Sequence, residues 1–89
     1  MAEINVVVID KNTYQVTVTA SSITTHKVNV HAAYAQKLTA GKISTAELVK
    51  KSFEFLLERE PNTSILRSFE LNIIAHYFPE YEREIIKHI

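Results

Sequence analysis

Four histidines are the residues of this sequence best suited to chemistry, because imidazole binds metal ions and exchanges protons near neutral pH. His26 and His31 occupy an even and an odd position in a strand-like stretch, so their side chains are expected to point to opposite faces. Neither has a nearby carboxylate that could complete a metal site. His76 stands among apolar neighbours, and His88 lies close to the last residue. We therefore interpret all four as surface or half-buried side chains and predict no metal site.

Charged residues in the last third form a second candidate group, of which Arg59, Arg67 and Glu70 stand out. Arg59 and Arg67 could together bind an anion, since guanidinium groups match carboxylate and phosphate geometry. Arg67 and Glu70 are one turn apart if the chain there is helical, yet both then fall inside the apolar arc of that helix. Either they form a partly buried ion pair, or the helix breaks near Ser68 and both reach water.

Other catalytic chemistry finds little support in the sequence. Cysteine is absent, which excludes disulfides, thiol catalysis and cysteine-bound zinc. Gly41 is the single glycine, so no glycine-rich phosphate loop or dinucleotide turn can form. No serine has the surroundings of a nucleophile elbow. We predict no catalytic residue and no cofactor, and an enzyme with an unrecognised site remains the third hypothesis.

Composition places the chain among single globular domains. The 89 residues are 46% hydrophobic and 22% charged, with zero formal net charge. The start has neither a basic leader nor a long apolar segment, so we expect a cytoplasmic protein without a membrane span. The first half is basic and the second acidic. The lysines of the first half are spread thinly, and that half contains no arginine. Nucleic-acid binding is therefore the second hypothesis rather than the first.

The elements that must position these residues begin with three strands. Alternating and β-branched residues predict strands at about 3–9, 13–20 and 23–31, joined by short turns into an antiparallel meander. Helices are predicted at about 32–40, 45–60, 64–77 and 80–88. The predicted fold is a single α+β domain, 1–89, in which a three-stranded antiparallel β-meander is followed by three to four helices packed on one face of the sheet.

The helix predicted at 45–60 has the clearest local signals. Ser44 and Glu47 form a capping-box pattern at its start, and Pro61 ends it. Its apolar residues cover roughly half of the circumference, wider than the stripe of about 100° that an ordinary surface helix needs. We therefore expect this helix to contact two elements, namely the sheet and the helix predicted at 64–77.

The first strand carries apolar side chains on both faces. Ile4, Val6 and Val8 share one face, while Val7 and Ile9 share the other, although a meander leaves this strand at the edge. Edge strands of this kind invite pairing. We expect a helix to cover the second face; the alternative is a second copy of the chain, which would form a homodimer through its edges.

Three segments resemble small uncharacterised bacterial proteins, a family without an assigned activity. They are the runs KSFEFLLEREP at 51–61, SILRSF at 64–69 and FPEYE at 78–82. The resemblance covers about the last half of the chain and implies a small bacterial domain, without transferring any site residue. The leading hypothesis is a non-enzymatic domain that binds another protein or itself, with candidate interaction residues Val7, Ile9, Arg59, Arg67 and Glu70.

Overall fold

A computed structural model describes residues 2–89 and shows an α+β fold with one four-stranded mixed sheet and four helices. In chain order the strands and helices are β1 (Glu3–Asp10), β2 (Thr13–Thr19), β3 (Ile23–Asn29), α1 (Ala32–Thr39), α2 (Thr45–Leu57), a single 3-10 turn (Asn62–Ser64), β4 (Ser68–Glu70), α3 (Ile73–Tyr77) and α4 (Tyr81–Lys87).

The sheet has the spatial order β1-β2-β3-β4. The first three strands form the predicted antiparallel meander, and the turn between β1 and β2 is closed by Asn12, whose backbone N–H donates to Asp10 Oδ1 at 3.0 Å. That hydrogen bond is the main reason why the pKa of the Asp10 carboxyl lies below its usual value. A register shift between Val8 and Asp10 makes Ile9 an extra residue on the edge strand, which is a β-bulge.

The prediction of a helix at 64–77 was wrong. The chain there forms the 3-10 turn, the short strand β4 and then α3. The backbone N–H of Lys27 donates to the Arg67 carbonyl at 2.8 Å, and the N–H of Leu71 donates to the Asn29 carbonyl at 2.9 Å. Because β3 would otherwise leave a row of unpaired backbone groups, parallel pairing with β4 outweighs the helical spacing of the apolar residues.

The core lies on one side of the sheet, as predicted. On β2 and β3, buried side chains alternate with more exposed ones, so one face packs against helices while the other faces solvent. The residues that face the helices are Tyr14, Val16, Val18, Thr24, His26 and Val28. Within residues 2–89, no helix is both long enough and apolar enough to cross a bilayer.

Helix α2 packs against the sheet and also against α1 and α4, so its wide apolar surface contacts more elements than the two that were predicted. Phe53 contacts the sheet, with its ring 5.3 Å from that of His26 and 6.0 Å from that of Phe69. On another side of the helix, Phe55 packs edge-on against Phe78 and Tyr81. The predicted helix over 64–77 is therefore replaced as a partner of α2 by α4 and by Phe78, which precedes it, while α1 is a further partner.

The N-terminus of α2 is capped by Ser44, whose Oγ accepts the backbone N–H of Glu47 at 3.1 Å. Among residues 2–89, no hydrogen bond joins the Glu47 side chain to the Ser44 backbone N–H, so only one of the two hydrogen bonds of a capping box is present.

We expect Ser44→Ala to lower the free energy of unfolding by about 1 kcal/mol, because the backbone N–H of Glu47 loses its partner. Urea unfolding measures this, and Ser21→Ala, in an exposed turn, is the control; equal midpoints for the two variants would contradict the prediction.

Candidate functional site

The second half of β1 is the most exposed apolar segment of the sheet. Val7, Val8 and Ile9 have 50%, 56% and 46% of their surface accessible. Val7 faces away from the helices, whereas Val8 is on the helix side of the sheet but lies beyond the helical cover. β1 also ends the sheet, so one side of its backbone has no neighbouring strand among residues 2–89.

These exposures correct the expectation that a helix covers the second face of β1. The reason is geometric: the helices occupy one side of the sheet, where α2 partly covers Ile4 and Val6. Strand alternation groups Val8 with Ile4 and Val6. The exposure of Val8 has no signal in the sequence, because the helical layer ends before this residue. The candidate residues Val7 and Ile9 thus lie together with Val8 on an uncovered strand end.

A broad groove of about 890 Å³ lies beside the first half of β1. Its walls come from β1, β2 and α2, and the helix contributes Lys50, Glu54, Leu57 and Glu58. The groove therefore continues the exposed edge toward the start of the strand, with charged side chains of both signs along the helical wall. The Val7–Ile9 end of the strand is apolar, whereas this end is lined by both polar and apolar residues.

Arg59 is engaged within the chain. Its Nε donates to Glu80 Oε2 at 3.3 Å, its Nη1 donates to the Phe55 carbonyl at 3.0 Å, and its guanidinium carbon lies 3.6 Å from the centre of the Phe55 ring. The pKa of the Glu80 carboxyl lies below its ordinary value, chiefly through its own backbone N–H and then through Arg59. The carboxylate and carbonyl contacts leave Arg59 little capacity for an external anion.

Arg67 and Glu70 do not form a buried ion pair. Both are exposed and flank or end β4, so both reach water, although the chain there is a strand and not a helix that breaks near Ser68. Glu70 instead accepts a hydrogen bond from His31 Nε2 at 2.9 Å, in a contact that is open to water on both sides. Arg67 has no ion pair with any residue from 2 to 89, and it contributes its backbone carbonyl to the β3 edge.

His26 is 1% exposed, so its interpretation as a surface or half-buried residue was wrong. Its Nδ1 lies 2.7 Å from the Leu66 carbonyl oxygen, which can only accept, so Nδ1 carries a hydrogen. Its Nε2 lies 2.8 Å from Thr24 Oγ1, and Asn62 Nδ2 donates to that same hydroxyl at 2.9 Å. Asn62, Thr24, His26 and Leu66 therefore form a chain of hydrogen bonds, which we call the β3 polar network.

The remaining histidines stay apart from this network. His31 pairs with Glu70, while His76 on α3 and His88 after α4 are exposed. In the part of the chain that the structure describes, no three His, Asp or Glu side chains come close enough together to hold a metal ion. The structure therefore brings His26 and His31 to different places and assembles no ligand set from them.

Three hydroxyls in the helical layer are buried or partly buried, those of Ser52, Tyr81 and Tyr34. Tyr81 OH and Ser52 Oγ lie 2.6 Å apart in the core, and Ser52 Oγ donates to the Leu48 carbonyl at 2.7 Å. Both residues are inaccessible to solvent, so no substrate reaches the Ser52 hydroxyl. Burial raises the pKa of the Tyr81 phenol above its ordinary value, as it does for Tyr34, whose OH donates to Glu82 at 2.8 Å. These groups stabilise the helical layer.

Comparisons of the chain with models of protein families, with curated proteins and with solved structures found no match.

Proposed function

We propose that this chain is a non-enzymatic, self-associating domain in which β1 pairs with β1 of a second copy. The observation that carries the proposal is the exposure of Val7, Val8 and Ile9 beside a free strand edge. Soluble proteins usually protect such edges with lysine, proline or a bulge. Between Glu3 and Asp10 there is no lysine or proline, and β1 pairs with β2 in an unshifted register from Glu3 to Val8, before the bulge at Ile9.

The residues of β1 favour an antiparallel arrangement centred on Val7. In that register Val7 lies opposite its own copy, and Val6 lies opposite Val8, so the central cross-strand pairs are all valines. Parallel pairing in register would place Glu3 against Glu3 and Asp10 against Asp10, and like charges directly opposite each other are destabilising.

Introducing a lysine at Val7 is expected to abolish self-association, because the two lysines would lie directly opposite each other at the centre of the pair and repel. Light scattering coupled to size exclusion, over a concentration series, measures the mass directly. The matched control is Ile23→Lys, which adds the same charge at an exposed apolar position on β3, away from the free edge. Both sites are exposed, so both variants should keep their folding stability within about 0.5 kcal/mol.

Two results would contradict the proposal. One is a monomeric mass for the unmodified chain at every concentration, and the other is equal weakening of the dimer by Val7→Lys and Ile23→Lys. If the chain is monomeric but binds a different protein, and Val7→Lys prevents that binding, the function is recognition of another protein at the same edge.

Nucleic-acid binding has weaker support than self-association. On β1–β4 the solvent-facing side of the sheet carries Lys27 together with the carboxylates Glu3 and Glu70, and it carries no aromatic residue. Lys37 is already paired with Glu82 at 3.4 Å. Proteins that bind nucleic acids without sequence preference use a positively charged groove with aromatic rings on which bases stack. The solvent-facing side of β1–β4 offers neither.

A further inference from the structure

An apolar cleft of about 300 Å³ lies at the opposite side of the molecule from the β1 edge, between the end of α2, the segment that leads into β4, and α3. Its deeper walls are buried side chains, namely Leu56, Ile65, Phe69 and Ile74. Leu66 and Tyr77 form its outer part and are 48% and 63% exposed. The volume is at the lower end of the range for small-molecule sites, which are mostly apolar with a few polar groups.

The cleft also contains a carboxylate that has no cationic partner among residues 2–89. Glu60 lines the cleft and is half-buried. No lysine, arginine or histidine nitrogen of residues 2–89 lies within 4.0 Å of its oxygens, although Arg59 precedes it directly in sequence. The Arg59 guanidinium instead pairs with Glu58 and Glu80. The cleft thus combines an apolar interior with a negative charge that the described chain leaves uncompensated.

The ligand that fits this combination is a cation that carries an apolar group. A half-buried carboxylate favours a positively charged hydrogen-bond donor, because charge-assisted hydrogen bonds are roughly twice as strong as neutral ones. The exposed ring of Tyr77 adds a face that attracts cations. A carboxylic acid would meet like charge at Glu60, and a neutral hydrocarbon would cover the carboxylate without pairing it, which costs desolvation free energy.

We infer that the cleft is a binding site for a small organic amine, with its aromatic or branched aliphatic group between Phe69 and Ile74 and its ammonium group on Glu60. The site lies on the β4 side of the sheet and is independent of self-association through β1. Its occupant is a small molecule because a volume of about 300 Å³ is at the lower end of the range for such ligands.

Titration of the intact protein with phenethylamine, followed by two-dimensional amide NMR spectra, tests the inference. Two comparison ligands keep the ring and change the polar group: phenethyl alcohol is neutral and hydrocinnamate is negative. We expect saturable shifts at amides around the cleft, with phenethylamine the tightest of the three and hydrocinnamate the weakest. Glu60→Gln should weaken phenethylamine about tenfold, which corresponds to about 1.4 kcal/mol, and leave phenethyl alcohol nearly unchanged.

Glu54→Gln is the matched control, since it removes the same charge from an exposed position of α2 that does not line the cleft. It should leave phenethylamine affinity unchanged. The inference is overturned if phenethylamine produces no saturable shift, if hydrocinnamate binds as tightly as phenethylamine, or if Glu60→Gln and Glu54→Gln weaken the amine equally. Because both substitutions preserve side-chain shape, unchanged unfolding midpoints should accompany them.

Discussion

Replacing Phe53 with alanine is expected to lower the free energy of unfolding by about 3–5 kcal/mol, the largest effect of any single substitution proposed for this chain. Phe53 is inaccessible to solvent and contacts the rings of His26 and Phe69, so it joins α2 to both β3 and β4. Truncation removes those contacts and leaves a cavity that the close-packed surroundings fill only in part. A domain of 89 residues has a total stability of only about 4–13 kcal/mol, so this substitution should remove a large fraction of it.

Urea unfolding monitored by circular dichroism measures this loss. Phe53→Leu should retain more than half of the stability that alanine loses, because a branched aliphatic group refills most of the space. Tyr77→Ala provides the control for removing an aromatic side chain, since Tyr77 is exposed and should cost little. A loss below about 1 kcal/mol for Phe53→Ala would mean that the rings around it repack, contrary to the prediction.

The β3 polar network accounts for the second large effect. Thr24→Val keeps the shape of the side chain but removes the hydroxyl that joins Asn62 to His26. His26→Leu removes the ring and deprives the Leu66 carbonyl of its donor. Each substitution should cost about 1–3 kcal/mol, because buried polar atoms are left without partners.

A double-mutant cycle separates the network from simple packing. If Thr24 and His26 act through their shared hydrogen bond, the double variant should lose less stability than the sum of the single variants, by at least about 0.5 kcal/mol. Thr25→Val is the matched control, because Thr25 is the exposed neighbour on the opposite face of β3. Additive losses for Thr24→Val and His26→Leu would show that the two residues stabilise the fold independently.

Local sequence signals were sufficient for the meander, for the first two helices and for the last one, which is predicted at about 80–88 and found at Tyr81–Lys87. Alternation on β2 and β3, the Asp10–Thr13 turn and the Ser44 cap each act within a few residues, and the structure confirms them. Position 9 was placed in the strand correctly, but the bulge there depends on the partner strand and has no clear local signal. The exposure of Val8 depends on where the helical layer ends, which is also a property of the whole fold.

The segment at 64–77 shows why the remainder could not be predicted in the same way. Ile65, Phe69, Ile73 and Tyr77 recur at helical spacing, yet β3 supplies backbone partners that a helix could not use. One signal in the sequence did oppose the helix: Arg67 and Glu70 would have fallen within its apolar arc. Such a conflict between local pattern and charge placement indicates that the assumed element is wrong.

The candidate site was only partly accessible to sequence reasoning. Apolar residues on both faces of β1 identified Val7 and Ile9, and the structure places them on a free edge. The β3 polar network and the cleft depend on residues that are far apart in sequence, as in the contact between His26 and Leu66, 40 residues apart. The spacing of apolar residues in the sequence does not reveal such pairs, because they form only when distant segments of the chain pack together.

The parallel pairing of β4 with β3 has a consequence for the order in which the chain folds. The hairpins of the meander close short loops, whereas β4 must close a loop that contains all of α1 and α2. Closing a long loop costs more conformational entropy, and its contacts form only after that cost is met. We therefore expect the two edges of the sheet to form at different times during folding, in addition to differing in exposure. The β1 edge is complete when the meander forms, while the β4 side, with the cleft beside Glu60, exists only once the last third of the chain has docked.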